Sequence, residues 1–509
     1  MSVPMETLPL FIAIPLAVAF LFPVFEKLSL RRALLDGLAV LATAALLAGS
    51  LGLLAQPDRV YWIGGWAPPV TGINLVSDGL SRLMLVVVQA ISFFSIVFSL
   101  RYMDRYSSRG FYYGLFFLLL AGMNGVVLTG DLFNLFVFIE IAAIASYALV
   151  AFGCESEELE ASFKYLVLGS VSSAFILLGV GMLYNLTGTL NMAEVAAKAP
   201  ALSGLPIMAM VGACFLFGFG LKAAMVPFHA WLPDAHPSAP APISAMLSGV
   251  LIKAGGVYVL FRLFFSVFGM DLLYARVFMA LGAVSMLIGV LLAVGQWDFK
   301  RLLAYHSISQ MGYVLLSVGV GGEVLARGGP TPVAALAVFA GLFHLVNHAA
   351  FKSLLFLCSG SMEYVTGTRQ LAEMGGLSRP MPLTGLACRV AALSISGIPP
   401  FNGFWSKLLI IIAIVQAGHY ALAALTVLVS FLTLLSFIKV QRYALEGPLP
   451  ELLRSVREAG LAMSLPLLAL AALCLLGGLL LPLYAGALFT PAQEAMLSGL
   501  NYARAILGG

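Results

Sequence analysis

Long apolar runs recur along the whole of this 509-residue chain and leave little room between them for a folded soluble domain. A helix needs about 20 apolar residues to cross the hydrocarbon layer of a bilayer. Fourteen runs suit a span, and they begin near residues 8, 33, 80, 111, 132, 163, 205, 241, 272, 301, 332, 382, 420 and 463. Charged residues make up only 10% of the chain, against about 25% in soluble domains. The sequence therefore predicts an all-α integral membrane protein with about 14 transmembrane helices in the lipid bilayer.

The basic residues between the runs predict the orientation of the chain, because Lys and Arg concentrate in cytoplasmic loops. With the N-terminus outside, the inner connections hold fifteen Lys and Arg residues and the outer connections hold five. We therefore expect a multi-pass protein of the cell inner (cytoplasmic) membrane with both termini outside.

Neither the basic residues nor the cysteines indicate a nucleic-acid or cofactor site. The basic residues are dispersed and form no patch that would bind nucleic acid. The five cysteines lie far apart and form no pattern with metal-site spacing. No glycine-rich phosphate loop follows a strand pattern. We expect the chain to carry no cofactor and no metal of its own.

Some basic residues fall inside the predicted spans, where an uncompensated charge costs on the order of 2.5 to 3.5 kcal/mol. They are Arg82, Lys222, Lys253, Arg262, Lys352, Arg389 and Lys407. The arginines lie near span ends, so we expect their long side chains to reach toward water. Lys253 lies about 16 Å beyond the start of its span at Pro242, too deep for that reach. The four lysines therefore indicate a polar pathway through the interior.

Glu140 is the only carboxylate that falls well inside a predicted span. It can pair with only one of the four lysines, so the other lysines should be partly neutral or hydrated. Lysines that change charge near neutral pH are suited to a proton relay. The alternative is a static ion pair, with hydrated lysines that only hold helices together.

Two predicted spans are interrupted by proline close to a lysine. Pro227 follows Lys222 in the seventh span, and Pro399–Pro400 precedes Lys407 in the twelfth. Proline lacks a backbone N–H and breaks a helix. The alternative is that these prolines only kink helices for packing.

Such breaks at corresponding positions of two halves are typical of transporters built from inverted repeats. We predict two inverted five-helix repeats at 111–267 and 268–441, each with a broken helix. Three N-terminal helices in 1–110 precede them, and an amphipathic loop with helix 14 in 442–509 follows.

His344, His348 and Lys352 recur every four residues in the eleventh span, so they share one helix face over about 12 Å. Two histidines at this spacing can bind a metal, but no third ligand stands at a usable spacing. The face is better explained as a stripe of titratable groups. The tenth span adds small polar groups that order water or only permit close packing: Tyr305, His306, Ser307, Ser309 and Gln310.

Five motifs are specific enough to carry a resemblance: DLFNLFVFIE, EASFKYLVLGS, KAAMVPFHAWLPDAH, HLVNHAAFK and GIPPFNGFWSK. Through them the chain resembles, over about residues 75–440, a family of antiporter-like membrane subunits. Respiratory complex I (NADH:quinone oxidoreductase), energy-converting membrane-bound hydrogenases and Mrp-type sodium/proton antiporters share this family. The resemblance implies that Glu140 and Lys222 are the acid and base of a first half-channel and that Lys253 is a central connecting lysine.

For the second half, the resemblance implies that His344, His348 and Lys352 link the two halves and that Lys407 ends the second half-channel. Lys407 argues against one complex I homologue, which carries glutamate there. The histidine face is nearer to the complex I and hydrogenase versions, whereas the DLFNLFVF motif and the length also suit the D-type member of the Mrp antiporters.

We therefore expect a proton-translocating subunit of a redox-driven complex of the NADH:quinone oxidoreductase or hydrogenase type. It would hold no redox centre, and any oxidoreductase activity would reside in partner subunits. The alternative is a subunit of an Mrp-type antiporter without redox chemistry. A third hypothesis, a scaffold that only anchors a peripheral arm, leaves the buried lysines unexplained. The expected partners are other membrane subunits and a peripheral redox arm, and the expected ions are protons, with sodium as the second candidate.

Overall fold

The computed structural model describes residues 7–29, 31–68 and 72–508, and over these residues it is almost entirely helical. The described helices are α1 (Leu10–Lys27), α2 (Arg32–Leu54), α3 (Gly79–Tyr102), α4 (Arg109–Leu128), α5 (Leu132–Val150), α6 (Ser156–Thr187), α7 (Met192–Leu202), α8 (Pro206–Lys222), α9 (Leu232–Ser238), α10 (Ala241–Val267), α11 (Leu272–Val294), α12 (Phe299–Ala326), α13 (Thr331–Thr366), α14 (Pro382–Ser396), α15 (Asn402–Gln416), α16 (Tyr420–Leu445), α17 (Leu461–Leu479), α18 (Leu481–Leu497) and α19 (Tyr502–Leu507). One antiparallel hairpin pairs β1 (Arg59–Trp62) with β2 (Asn74–Ser77). The predicted all-α class is confirmed. The two chain ends, predicted to face outward, lie outside the described residues.

Twelve of the described helices are long and apolar enough to cross a membrane. The seventh and twelfth predicted spans are the exceptions, because each consists of two shorter helices. The predicted start of the sixth span, at residue 163, is too late because α6 begins at Ser156. Its polar first turn is helical since the Glu158 side chain accepts a hydrogen bond from the backbone N–H of Glu155 at 3.4 Å.

The break in the seventh span is an unwound segment between α8 and α9. It holds Pro227, whose peptide bond with Val226 is cis. The indole N–H of Trp231 donates to the carbonyl of Leu221 at 2.9 Å and so satisfies an acceptor at the end of α8. Across the break, the backbone N–H of Val226 donates to the Ser285 hydroxyl of α11 at 3.0 Å. The predicted interruption is therefore confirmed, and its polar backbone groups have partners.

The break in the twelfth span separates α14 from α15. Gly397 ends α14 with φ of +78°, a conformation that suits glycine. The backbone N–H of Ile398 then donates to the Leu393 carbonyl at 3.0 Å, and the Pro399–Pro400 bond is cis. This predicted interruption is confirmed as well.

Helix α10 has an unusual winding that the sequence did not reveal. Three of its segments are π-helical, namely Leu247–Leu251, Lys253–Tyr258 and Arg262–Val267. Most π-helices are single turns, and they are frequent at functional sites. Glycine lets α10 approach the break of the seventh span, because a Cβ at Gly256 would lie 2.6 Å from the Cα of Ala223.

The centre of the bundle is formed by α10 and α12. Helix α10 is buried along its whole membrane-spanning length, and α12 is nearly so. Helix α10 packs against α3 and α13, and α12 packs against α11 and α13. By contrast, α1, α2 and α16 leave most of their surface open to the surroundings. The helix that carries Lys253 and the helix that carries His306, Ser307 and Gln310 therefore lie in the interior.

The C-terminal part contains more helix than the single one predicted for 442–509. After α17 the chain forms α18, which packs on α3 and α13. Phe489 of α18 lies against Phe339 and Phe343, with ring centroids 5.5 and 5.4 Å apart. Helix α18 was missed because its 17 residues are too few for a span and include Glu494.

Candidate functional site

The first site is the pair formed by Glu140 of α5 and Lys222 at the end of α8. Their charged atoms, Glu140 Oε1 and Lys222 Nζ, lie 3.7 Å apart. Ser173 of α6 bridges them, because its hydroxyl donates to the Glu140 carboxylate and accepts from Lys222 at 3.3 Å. Lys222 also donates to the carbonyl of Gly169 at 3.4 Å. The predicted pairing is confirmed, with a serine between the two charges that the sequence reasoning missed.

A small cavity extends from Lys222 toward α10. Its volume is about 20 Å³, enough for about one water molecule. Tyr165 borders it on one side, and Leu251 and Gly255 of α10 border it on the other. Leu251 and Gly255 flank Lys253 in the sequence, so the cavity separates the first pair from the segment that carries the central lysine.

Lys253 is completely buried and has no carboxylate beside it among the described residues. Its Nζ donates to the carbonyl of Ser248 at 2.6 Å. The hydroxyl of Ser248 is 2.7 Å from that of Ser307 on α12. Helix α10 also contacts α13, where the hydroxyl of Ser353, the residue after Lys352, donates to the carbonyl of Ala245 at 3.3 Å. Through Ser248 of its own helix, the central lysine is therefore connected to α12 of the second half.

The predicted face of α13 is buried along its length. The two ring nitrogens of His344 lie 2.9 Å from the Ser406 hydroxyl of α15 and 3.1 Å from Gln310 Oε1 of α12. His348 and the Lys352 ammonium have no hydrogen-bond partner within the described ranges. The predicted stripe therefore contains one well-bonded histidine followed by two polar groups that protein atoms leave unsatisfied.

Lys407 of α15 is buried next to the second break. Its Nζ donates to the carbonyl of Ile395 at 2.7 Å and to the Ser430 hydroxyl at 3.3 Å. The ring of Tyr313 lies 5.0 Å from the same nitrogen. Ser406, which binds His344, is its neighbour in the chain. Only one of the four predicted lysines, Lys222, has a carboxylate partner in the described structure, as the sequence predicted.

The expectation that Arg262 reaches toward water is wrong. Its side chain is only 4% exposed, and its guanidinium donates to both oxygens of Asp78 at 2.5 and 2.8 Å. Burial by itself would raise the pKa of Asp78, but the charge and hydrogen bonds of Arg262 lower it below the ordinary value. Arg82 does reach an exposed partner, Asp58, at 2.9 Å. Arg389 is exposed, as expected.

Two further buried ion pairs were missed because their members stand near helix ends. Lys300, assigned to an inner connection, is buried and lies 2.8 Å from Glu363. Glu323 near the end of α12 is a further buried carboxylate, 2.5 Å from His419. Glu323 and Arg327 stand four residues apart, a spacing that lets two side chains pair on one helix face. This spacing was the sequence signal that could have indicated a paired carboxylate at Glu323.

Within the described residues, no group of three or more His, Cys, Asp or Glu side chains is arranged to hold a metal ion. His344 and His348 belong to no such group in the part of the chain that the structure describes.

Comparison with known proteins gives a consistent result. The family model described as "NADH:quinone oxidoreductase/Mrp antiporter, TM" matches residues 129–433. A curated relative, NADH-quinone oxidoreductase subunit N of Desulforudis audaxviator, is 36% identical over 87% of each chain. Another, a Na(+)/H(+) antiporter subunit of Alkalihalophilus pseudofirmus, is 36% identical over 76% of each chain.

Two solved structures cover nearly the whole chain. A chain of the Mrp complex from Dietzia sp. DQ12-45-1b superposes with a TM-score of 0.88 at 32% identity, covering 99% of both chains. A chain of the archaeal membrane-bound sulfane sulfur reductase, a respiratory membrane complex, also gives 0.88 at 32% identity and covers 99% of this chain and 100% of its own.

Proposed function

Because this chain belongs to the membrane-subunit family of NADH:quinone oxidoreductases and Mrp antiporters, we propose that it is a proton-translocating, antiporter-like subunit of a multi-subunit membrane complex. The observation that carries the proposal is the row of buried basic groups with a single carboxylate partner. Lys253, Lys352 and Lys407 are buried without a carboxylate partner in the described part of the chain. Lysines in such sites exchange protons more readily than lysines in salt bridges.

The proposed route starts at Glu140 and Lys222. A proton passes from Lys222 through the adjoining water-sized cavity to the segment of α10 between Leu251 and Gly255, which carries Lys253. From Lys253 the route continues along His348 and Lys352, whose unsatisfied polar atoms would hydrogen-bond transient water.

In the second half, the route passes from the α13 face to Lys407. His344 bonds Ser406, the residue before Lys407, and so connects the face with α15. Each proposed relay group carries one proton and returns to its starting charge when the proton moves on.

The membrane arrangement belongs to the same proposal. The chain would lie in the cell inner membrane with both termini outside, as the distribution of basic residues indicates. Residues 111–267 and 268–441 would be two inverted repeats, each of which supplies one half-channel around its broken helix.

We propose that a redox reaction in partner subunits drives the transport, with a peripheral redox arm among those subunits. The relative named NADH-quinone oxidoreductase subunit N and the sulfane sulfur reductase chain support this drive. The second candidate is sodium/proton antiport without redox chemistry, which the Na(+)/H(+) antiporter relative and the Mrp chain favour. The two candidates differ in their partners and in their dependence on sodium, whereas the relay is common to both.

Transport by the intact complex in proteoliposomes tests the proposal. A pH-sensitive dye inside the vesicles should report proton movement, and Lys407→Ala should abolish it at equal amounts of assembled complex. Redox drive predicts iron–sulfur or flavin absorption in the purified complex and transport that starts on addition of an electron donor. Antiport predicts transport that follows an imposed sodium gradient in the absence of any donor. Failure of the wild-type complex to move protons under both conditions would refute the proposal.

A further inference from the structure

A buried carboxylate lies among helix ends outside the route described above. Glu323, near the end of α12, has a side chain that is only 3% exposed. His419 Nε2 lies 2.5 Å from its Oε2, while Arg327 and Arg276 lie 2.8 and 3.4 Å from its Oε1. Arg276 comes from α11, Arg327 follows α12, and His419 stands between α15 and α16. Ends of α11, α12, α15 and α16 therefore meet at the Glu323 carboxylate.

The two helices that lead to this site also surround Lys407. Helix α12 carries Tyr313, whose ring lies 5.0 Å from Lys407 Nζ, and it reaches Glu323 about 15 Å further on. Helix α16 carries Ser430, which accepts from Lys407, and it begins next to His419, about 16 Å away along the helix. Lys407 and the Glu323–His419 pair thus lie at two levels of the same inter-helix space.

Apolar side chains fill the space between these two levels. Leu316 and Val320 of α12, Ile414 of α15 and Ala423 of α16 are buried and belong to one packed cluster. In this conformation the layer separates Lys407 from the pair. Water would have to enter the layer before a proton could cross it.

The two members of the pair differ in their access to solvent. The His419 side chain is 25% exposed, whereas the Glu323 carboxylate lies behind it. Histidine is the side chain suited to exchange protons with water near neutral pH, and a bonded carboxylate can receive a proton from within. His419 can therefore exchange protons with water, and Glu323 behind it can accept protons from the interior.

We propose that Glu323 and His419 form the proton-exchange site between Lys407 and the solution on the predicted outer side. A proton leaves the Lys407 ammonium through transient water in the apolar layer and binds the Glu323 carboxylate. It then moves to His419 Nε2 and from the imidazolium to bulk water, after which Glu323 and His419 have their starting charges and Lys407 is a neutral amine that takes up the next proton from the α13 face. The inference rests on the proposed function, since it requires that protons reach Lys407.

The test uses the intact complex in proteoliposomes with the pH varied separately on each side. Glu323→Gln should reduce the initial rate of proton transport by about 100-fold, the contribution typical of a positioned acid or base. His419→Gln should reduce the rate and also flatten its dependence on pH, because the variant lacks the group that exchanges protons with the solution. That flattening should occur for the pH on one side of the membrane only.

Arg276→Gln and Arg327→Gln are the matched controls. Each removes one partner of the same carboxylate but none of the groups that carry the proton, so we expect the transport rate to keep the pH dependence of the wild type in both variants. If the cluster only ties helix ends together, Arg327→Gln should be as harmful as His419→Gln and neither should alter the pH profile. That result would overturn the inference.

Failure of the inference can be separated from failure of the proposed function. If wild-type complex moves protons, Lys407→Ala stops it, and both Glu323→Gln and His419→Gln match the wild type, only the exchange site is refuted. If Glu323→Gln fails to assemble, His419→Gln carries the test alone, because its partly exposed ring can be replaced with little disturbance.

Discussion

Replacing Lys222 by arginine separates a proton relay from a static ion pair more sharply than removing the lysine does. Arginine keeps the positive charge that faces Glu140, so the substitution preserves the electrostatic part of the contact. It changes the ease with which the proton can be lost, because arginine holds its proton far more tightly than lysine. A relay needs that loss, and a static pair does not.

The expected magnitudes follow from the geometry. Charges 3.7 Å apart, as found for Lys222 and Glu140, attract by about 4 kcal/mol at an effective dielectric constant of about 20. Lys222→Arg retains this attraction, so the chain should assemble normally into its complex. The ordinary pKa of arginine lies about 2 to 3 units above that of lysine, which makes proton loss about 3 to 4 kcal/mol harder. A transport step that requires this loss should slow by about 100- to 1000-fold.

The assay is dye-reported proton transport by reconstituted complex at equal assembled amounts. Lys164→Arg is the matched control, because Lys164 also pairs with carboxylates, Glu160 and Asp234, but is exposed. Glu140→Gln should nearly abolish transport, and Glu140→Asp should retain some because a carboxylate remains. A Lys222→Arg complex that transports as fast as the Lys164→Arg complex would refute the relay and favour a static pair.

The buried charges and the expected absence of a cofactor lead to three further predictions. Lys253→Ala and Lys407→Ala should each lose transport while the complex still assembles; disappearance of the complex from blue-native gels in both variants would instead indicate a structural role. Asp78→Asn should destabilise the fold by about 3 to 5 kcal/mol because it leaves Arg262 buried without its partner. By contrast, Glu451→Gln should cost under about 1 kcal/mol in the same thermal unfolding assay, because Glu451 and its partner Arg454 are both exposed. Since the folded-state pKa of Asp78 is below its ordinary 3.8, its contribution to stability should be present above that pH and lost as the pH falls through the folded value. Elemental analysis of the isolated protein should find less than one iron, nickel or zinc per chain, and a reproducible one-to-one metal would contradict this.

The sequence was most informative where a charged residue stands inside a long apolar run, because burying a charge in a membrane is costly. Lys222 and Glu140 could be paired in advance because Glu140 was the only carboxylate deep in a predicted span. Both helix breaks could be located, since proline acts on its own helix and needs no knowledge of neighbours. These features depend on one residue and its local surroundings.

Contacts between distant parts of the chain could not be predicted in the same way. Arg262 stands near a span end, where solvation is the simplest expectation, but Asp78, from far earlier in the chain, meets it in the interior. Glu323 was overlooked for the same reason, because the position of His419 depends on how α15 and α16 pack. The π-helical winding of α10 has no hydrophobic period that distinguishes it from an α-helix in sequence.

That winding bears on how the chain can change over many generations. In an α-helix, inserting or deleting one residue turns everything beyond it by about 100°. A π-helical turn already accommodates an additional residue, so losing one from Lys253–Tyr258 would restore α-helical winding and leave both ends of the span in place. The same deletion in the middle of α12 would swing Glu323 away from His419. Descendants of this protein should therefore tolerate the insertion or deletion of a single residue in α10, which carries the central lysine, but not in α12, which is a regular α-helix.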